Sequence, residues 1–184
     1  GIKIAQDAFS FQLKQLIDRM NFLDKQIEAL DCQILEYYEK FDCYLHTIPG
    51  IGMIAAATIL AEIGDINKFK SSSALVAFAG IDPMPNQSGD KNVRSNKSSK
   101  RGSPYLRKTL FNIMGIYLKC SPQDEPVYQF LDHKRSEGKP FYVYMTAASN
   151  KFLRRYYAQV RDYLSTLDDL PPVDMDSTGL KTSD

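Results

Sequence analysis

The stretch Ile48-Pro49-Gly50-Ile51-Gly52-Met53-Ile54-Ala55-Ala56 decides how the chain is put together. Upstream of it, no glycine or proline stands between Ile2 and Ile48; downstream, Gly, Pro and Ser punctuate the chain at short intervals. Pro49 ends one long helix and Met53 opens another. Apolar-Gly-apolar-Gly with a small residue four positions later is a helix-hairpin-helix signature. The glycines permit the backbone angles of a tight turn, and Ala56 permits close helix packing. Such a hairpin aims backbone N–H groups and a helix N-terminus at a DNA phosphate, which makes Gly50 and Gly52 candidate contact residues. The same corner also serves as a plain packing device between two helices.

Upstream, Phe9, Leu13, Leu16, Met20, Leu23, Ile27, Leu30, Ile34, Tyr37 and Phe41 follow one another at alternating steps of four and three. An apolar stripe of period 3.5 supercoils a helix against a partner. The flanking positions (Gln12, Arg19, Asp24, Gln26, Asp31, Gln33, Lys40) are polar, as solvated flanks should be. The stripe could pack on the rest of its own chain or in an intramolecular hairpin. A coiled coil between chains is favoured, because no second stripe of this length exists in the sequence.

Downstream, residues 53–63 read as a buried helix ending at Gly64, and Ser71-Ser72-Ser73 caps a short helix that Gly80 closes. From Gly80 to Gly102 the chain is rich in Pro, Gly, Ser, Asn and Lys and reads as a long exposed loop. Ser103-Pro104 starts a helix to about Lys119 that buries Leu106, Leu110, Ile113, Met114 and Tyr117. A helix after Pro122 turns Val127, Phe130 and Leu131 inward, and a last one runs from Phe141 to Leu164 with Lys151, Arg154, Arg155 and Arg161. No strand pattern stands out. The expected fold is all-α: residues 1–45 a coiled-coil dimerisation helix, residues 46–164 a compact helical domain with the hairpin and a basic loop, residues 165–184 an acidic disordered tail.

Charge is unevenly spread. Five aspartates and one lysine occupy residues 165–184, whereas Lys91, Arg94, Lys97, Lys100, Arg101, Arg107 and Lys108 form a run without a single acid. A cluster of this kind suits a polyanion, although a solvated loop is the commoner meaning of a charge run. Arg107 and Lys108 stand in the first turn of a helix, where the helix dipole disfavours cations, so their placement suggests an external anion. Just ahead of the run, Ser88 lies in Pro85-Asn86-Gln87-Ser88-Gly89-Asp90. A serine there is either a turn residue or, beside a phosphate-attracting surface, a nucleophile.

Other chemistry finds no support. His46 and His133 are isolated, Cys32, Cys43 and Cys120 lack ligand spacing, and no metal site is expected. No phosphate-binding glycine loop is present. No apolar run approaches a membrane span and no signal peptide is evident, so a soluble, cytoplasmic protein without membrane contact is expected.

The strings Ile48-Pro49-Gly50-Ile51-Gly52, Leu60-Ala61-Glu62-Ile63-Gly64-Asp65, Phe78-Ala79-Gly80-Ile81-Asp82-Pro83, Gln87-Ser88-Gly89, Ser99-Lys100-Arg101-Gly102 and Leu106-Arg107-Lys108-Thr109-Leu110 carry a resemblance. In order and spacing, over about residues 45–160, they are similar to the C-terminal domain of the IS-one-ten-type insertion-sequence transposases, whose relatives include the Piv DNA invertases. The heptad segment resembles the coiled-coil linker ahead of that domain.

The resemblance implies that Ser88 is the nucleophile of DNA strand exchange, through a phosphoserine link. It also implies DNA and guide-RNA partners, a prokaryotic nucleoid-associated setting, and a homo-oligomer that is a dimer through the coiled coil or a tetramer in the full-length synapse. A RuvC-like domain holding divalent metal (Mg) belongs to the family pattern. This sequence has none, so a fragment inactive by itself is expected. Within that frame Arg107 is the candidate phosphate clamp, Lys100 and Arg101 flank a basic-glycine step, and Lys91, Arg94 and Lys97 track the backbone. The competing readings are a non-catalytic helix-hairpin-helix module on a coiled-coil dimer, and a coiled-coil assembly protein whose basic loop is incidental.

Overall fold

The structure, a computed structural model, describes residues 2–41, 43–83, 87–88, 91–92 and 98–168, with side chains placed for 6–41, 43–83 and 98–166. Among the described residues six α-helices carry the fold: α1 (Ile2–Tyr38), α2 (Met53–Ile63), α3 (Ser72–Phe78), α4 (Pro104–Cys120), α5 (Pro126–Ser136) and α6 (Phe141–Asp168). The all-α expectation holds, with one addition. Two-residue strands β1 (Gln87–Ser88) and β2 (Lys91–Asn92) pair antiparallel where a loop is expected. Runs of two are too short for any alternating pattern to betray them.

The chain divides into two compact units, Gly1–Gly64 with Tyr105–Asp132, and Asp65–Pro104 with His133–Asp184. In the first, α1 meets α2 near its C-terminal end. The core there is Tyr38, Leu45, Ile51, Ala56, Ile59 and Ile63 with Leu106, Leu110, Ile113, Met114 and Tyr117 of α4 and Val127, Tyr128 and Leu131 of α5. Each fully buried Leu or Ile contributes about 1.5–3 kcal/mol. The five α4 residues are those the spacing selects. On α5, Tyr128 is buried and Phe130 only half so, a shift of the inner face by part of a turn.

The long helix stops earlier than the sequence suggests. It ends at Tyr38, and a separate turn of 3-10 helix, Tyr44–Thr47, precedes the Pro-Gly corner. Nothing between Glu39 and Cys43 breaks a helix by type. The cause is tertiary: Tyr38 is 4 % exposed and its hydroxyl reaches His46 Nδ1 at 3.0 Å, with the two rings edge to face. Phe41 therefore lies beyond the helix, and the heptad seam closes at Tyr37. That seam is bare. Phe9, Leu16, Met20, Leu23, Ile27 and Leu30 are each more than half exposed, so among the described residues this part of the stripe is left largely uncovered by its own chain.

In the second unit α3 lies along α6. Ser71 caps α3, its hydroxyl accepting from Ala74 N at 3.2 Å, as the triple serine implies. Leu75, Val76, Ala79 and Ile81 pack with Met145, Ala148, Phe152, Leu153 and Tyr156. Ser149 is buried among them without penalty, because its hydroxyl donates to Met145 O at 2.9 Å. Helix α6 runs past Leu164 to Asp168, taking in the start of the segment expected to be a tail; residues 169–184 lie outside the described residues.

Candidate nucleic-acid interface

The segment that holds Ser88 leaves and rejoins the second unit through a paired stem. Gly80 and Ile81 are buried at its start. Across the stem, Lys100 N donates to Gly80 O at 3.0 Å, Ser99 N to Asp82 O at 2.8 Å and Ser103 N to Phe78 O at 2.7 Å. Pro83 and Ser98 form an antiparallel bridge, and the Ser99 hydroxyl donates to the Asp82 carboxylate. Further out, Gln87 pairs with Asn92 and Ser88 with Lys91. The register sets the Ser88 backbone directly opposite that of Lys91, with Gly89 and Asp90 between them in the chain. Segment ends that meet in this way remove much of the closure entropy a long loop would otherwise carry.

Gly102 makes the stem feasible. A Cβ there would stand 1.8 Å from Phe78 O and 2.7 Å from Gly80 N, so only glycine lets the returning strand lie against the end of α3. In the sequence Gly102 reads as the edge of a basic step; its neighbours across the stem are far away along the chain. Lys100, with φ +53, and Arg101 project from this base and are exposed.

The first unit holds the other candidates. Gly50 has φ +83, and a Cβ on it would meet Tyr117 Cε1 at 3.0 Å and Ile116 Cγ2 at 3.2 Å. Gly52 has ordinary angles (φ −75) and open space around it. It is the N-cap of α2, with no side-chain cap and no acid in the first turn, so the end of the helix keeps its positive dipole uncompensated. The two glycines of one motif thus do different things. Gly50→Ala should destabilise by about 2–3 kcal/mol through strain and overpacking, whereas Gly52→Ala should cost about 1 kcal/mol or less. Thermal melting of both variants checks this, and equal losses would contradict it.

Arg107 is half-buried and Lys108 exposed on the first turn of α4, which carries no acid. Ser88, Lys91, Lys100 and Arg101 therefore belong to one unit and Gly50, Gly52, Arg107 and Lys108 to the other. Arg94 and Lys97 lie outside the described residues. Among the described residues no group of three His, Cys, Asp or Glu is placed to hold a metal ion, and no helix is long and apolar enough to cross a membrane. What sequence reasoning passed over is Asp82: the residue that ties the stem was visible only as part of a motif string.

Comparison with known proteins bears on these features together. Residues 42–129 match the model of the Transposase IS116/IS110/IS902 family. The chain is 30% identical to the "Insertion element IS900 uncharacterized 42 kDa protein" of Mycobacterium paratuberculosis over 77% of its own length and 37% of that protein's. It is 28% identical to the pilin gene-inverting protein of Moraxella bovis, over 85% of its own length and 50% of the relative's. The transposase for insertion sequence element IS1111A of Coxiella burnetii is 40% identical over 39% of the chain and 20% of that transposase. The chain thus spans half or less of each of these relatives.

Proposed function

We propose, for a chain that belongs to the Transposase IS116/IS110/IS902 family through residues 42–129, that it is the serine-bearing, DNA-binding part of a recombinase that cuts and rejoins strands through a phosphoserine link. Membership of that family supports DNA recombination in general; the serine chemistry is our reading. The observation that carries it is the paired stem. A Pro/Gly-rich segment with no structural task would not need a glycine-only crossing, a buried root and a backbone register that sets Ser88 against a lysine.

In the step envisaged, the Ser88 oxygen attacks phosphorus, one strand's ester oxygen leaves, and the serine's proton passes to that departing oxygen. The phosphoserine keeps the energy of the broken ester, so a hydroxyl of a second strand can displace the serine and restore it. Negative charge that develops on the phosphoryl oxygens must be met by cations fixed in advance. Lys91, Lys100 and Arg101 serve on the unit that carries Ser88; Arg107, on the other unit, is a bidentate clamp for a nucleic-acid phosphate. Arg94 and Lys97 belong to the same run. The bare N-terminus of α2 at Gly50-Ile51-Gly52 takes a backbone phosphate in the manner of a helix-hairpin-helix. A divalent metal such as Mg, in a RuvC-like domain of the whole protein, would supply further charge neutralisation. A guide RNA, a cytoplasmic, nucleoid-associated setting and inactivity of this chain by itself belong to the same proposal.

The test is whether strand exchange by the full-length protein needs the Ser88 hydroxyl. Lost recombination with DNA binding kept supports the nucleophile; undiminished recombination leaves only a nucleic-acid-binding module.

The exposed seam of α1 takes a second copy of this chain in a coiled coil. Its period is that of a two-helix supercoil, and its 37 residues make a rod of about 56 Å. Charging the seam with Leu16→Asp and Leu23→Asp should turn a dimer into a monomer in sedimentation, with a large loss of association at micromolar concentration. A monomeric mass for the unmodified chain would refute it.

A further inference from the structure

Helix α6 runs alongside residues 67–73 and is tied to them by arginines that meet no acid. Arg154 donates from Nε to Asn150 Oδ1 at 2.7 Å, from Nη1 to Ser72 Oγ at 3.4 Å and from Nη2 to Ser73 Oγ at 3.3 Å. Two turns on, Arg161 Nη1 donates to Asn67 Oδ1 at 2.8 Å. Between them, the Tyr157 hydroxyl donates to Phe69 O at 3.1 Å. The facing segment adds Lys68 and Lys70, both exposed, with Lys68 held over the rings of Phe69 and Phe78.

Neutral acceptors orient a guanidinium without cancelling its charge. Among the described residues none of these four cations forms an ion pair. Of the two acids close by in sequence, Asp65 is occupied with Asn67 N at 2.8 Å, and Asp162 lies about 100° round the helix from Arg161. Arginine has five N–H donors. With the bonds above, Arg154 keeps two for an external acceptor and Arg161 keeps four.

We infer that the seam between α6 and residues 67–73 is a docking face for the backbone of duplex DNA, additional to the basic run at 91–108. This rests on the DNA-recombinase reading and extends it to a surface that reading does not use. Arg154 and Arg161 stand about 10.5 Å apart along a rigid helix, a span that suits phosphates on either side of a major groove about 12 Å wide. Single strands are held instead by exposed aromatic rings on which bases stack. Here Phe69 is only 7 % exposed, and Tyr163, 48 % exposed, lies about 160° round the helix from Arg161, off this face. Duplex RNA offers a deep, narrow major groove that such a row of side chains does not span.

The experiment is fluorescence anisotropy of the full chain with a 30-base-pair DNA duplex, on the order of ten phosphates contacted, titrated across salt. Arg154→Gln with Arg161→Gln should flatten the plot of log affinity against log salt by about 1.8, and weaken binding about 30-fold near 0.15 M salt. Arg154→Lys with Arg161→Lys should keep the slope. Lys70→Gln, at a side chain with no role in the fold's bonds, should flatten it by about 0.9 whether or not the double variant melts early. An unchanged slope in Lys70→Gln and in the glutamine double variant, with a flatter one in Lys100→Gln, would overturn this face and leave the DNA reading intact. Absence of salt-dependent duplex binding by the unmodified chain would remove both. Preference for single strands or duplex RNA that depends on the same arginines would overturn the commitment to duplex DNA.

Discussion

Replacing Ser88 by alanine in the full-length protein should lower recombination by about 10³-fold or more while changing DNA affinity little, because loss of a covalent nucleophile removes the step that all later ones need. The residue's backbone is held in β1 against Lys91, so deletion of one oxygen leaves the pairing in place. Ser98→Ala is the matched control. Ser98 joins the stem through its backbone bridge to Pro83, and its side chain can go at a cost of about twofold in rate at most. Recombination assays on paired ends, with binding measured in parallel, separate the two serines. Equal effects of the two substitutions would mean that the segment matters only as a scaffold.

The second large effect belongs to Gly102. An added methyl group would overlap the carbonyl of Phe78, an approach no rotamer change relieves because both parties are backbone. The returning strand must then move off α3, and the bonds from Lys100 to Gly80 and from Ser103 to Phe78 go with it. Gly102→Ala should therefore destabilise by about 3 kcal/mol, the upper end of overpacking costs, and lower the melting temperature by roughly 6–12 °C for a chain of this size. A melting temperature unchanged within about 2 °C would show that the stem is not packed as described. Gly52→Ala is the natural comparison, since nothing lies within 4 Å of the added carbon.

How far the sequence could be read depended on whether a feature is local. Helix α2 and the inward face of α4 were legible because an apolar period, a glycine stop and a Ser-Pro start all lie within a few residues of each other. The end of α1 was not, since Tyr38 turns inward to meet His46 rather than because a breaker follows it. The stem under Ser88 was hidden for the same reason: Asp82 and Ser99, Gly80 and Lys100, Phe78 and Gly102 are paired across a polar segment with no periodicity of its own. In the sequence Arg154 and Arg161 stand only as residues of the last helix; their partners Ser72, Ser73 and Asn67 are set by the fold, more than eighty positions away along the chain. Ser88 itself was found by its motif; its opposition to Lys91 came from the backbone register.

In the proposed function Lys100 and Arg101, both exposed on the paired stem, are cations that meet a phosphate. Cations fixed before the substrate arrives stabilise a transition state without reorganisation at the moment of reaction. If Arg107 clamps a phosphate as proposed, lysine in its place would keep the charge and lose the two-pronged grip, so affinity for nucleic acid should fall while its salt dependence stays.

The central claim is that the Ser88 oxygen becomes joined to a DNA phosphate. Its most direct measurement is to denature the full-length protein during strand exchange, digest the DNA and map the residue that retains a nucleotide by mass spectrometry. The account predicts a phosphodiester adduct on the peptide containing Gln87-Ser88-Gly89, absent from Ser88→Ala. An adduct on any other residue, or active recombination with no covalent species at any time point, would contradict it.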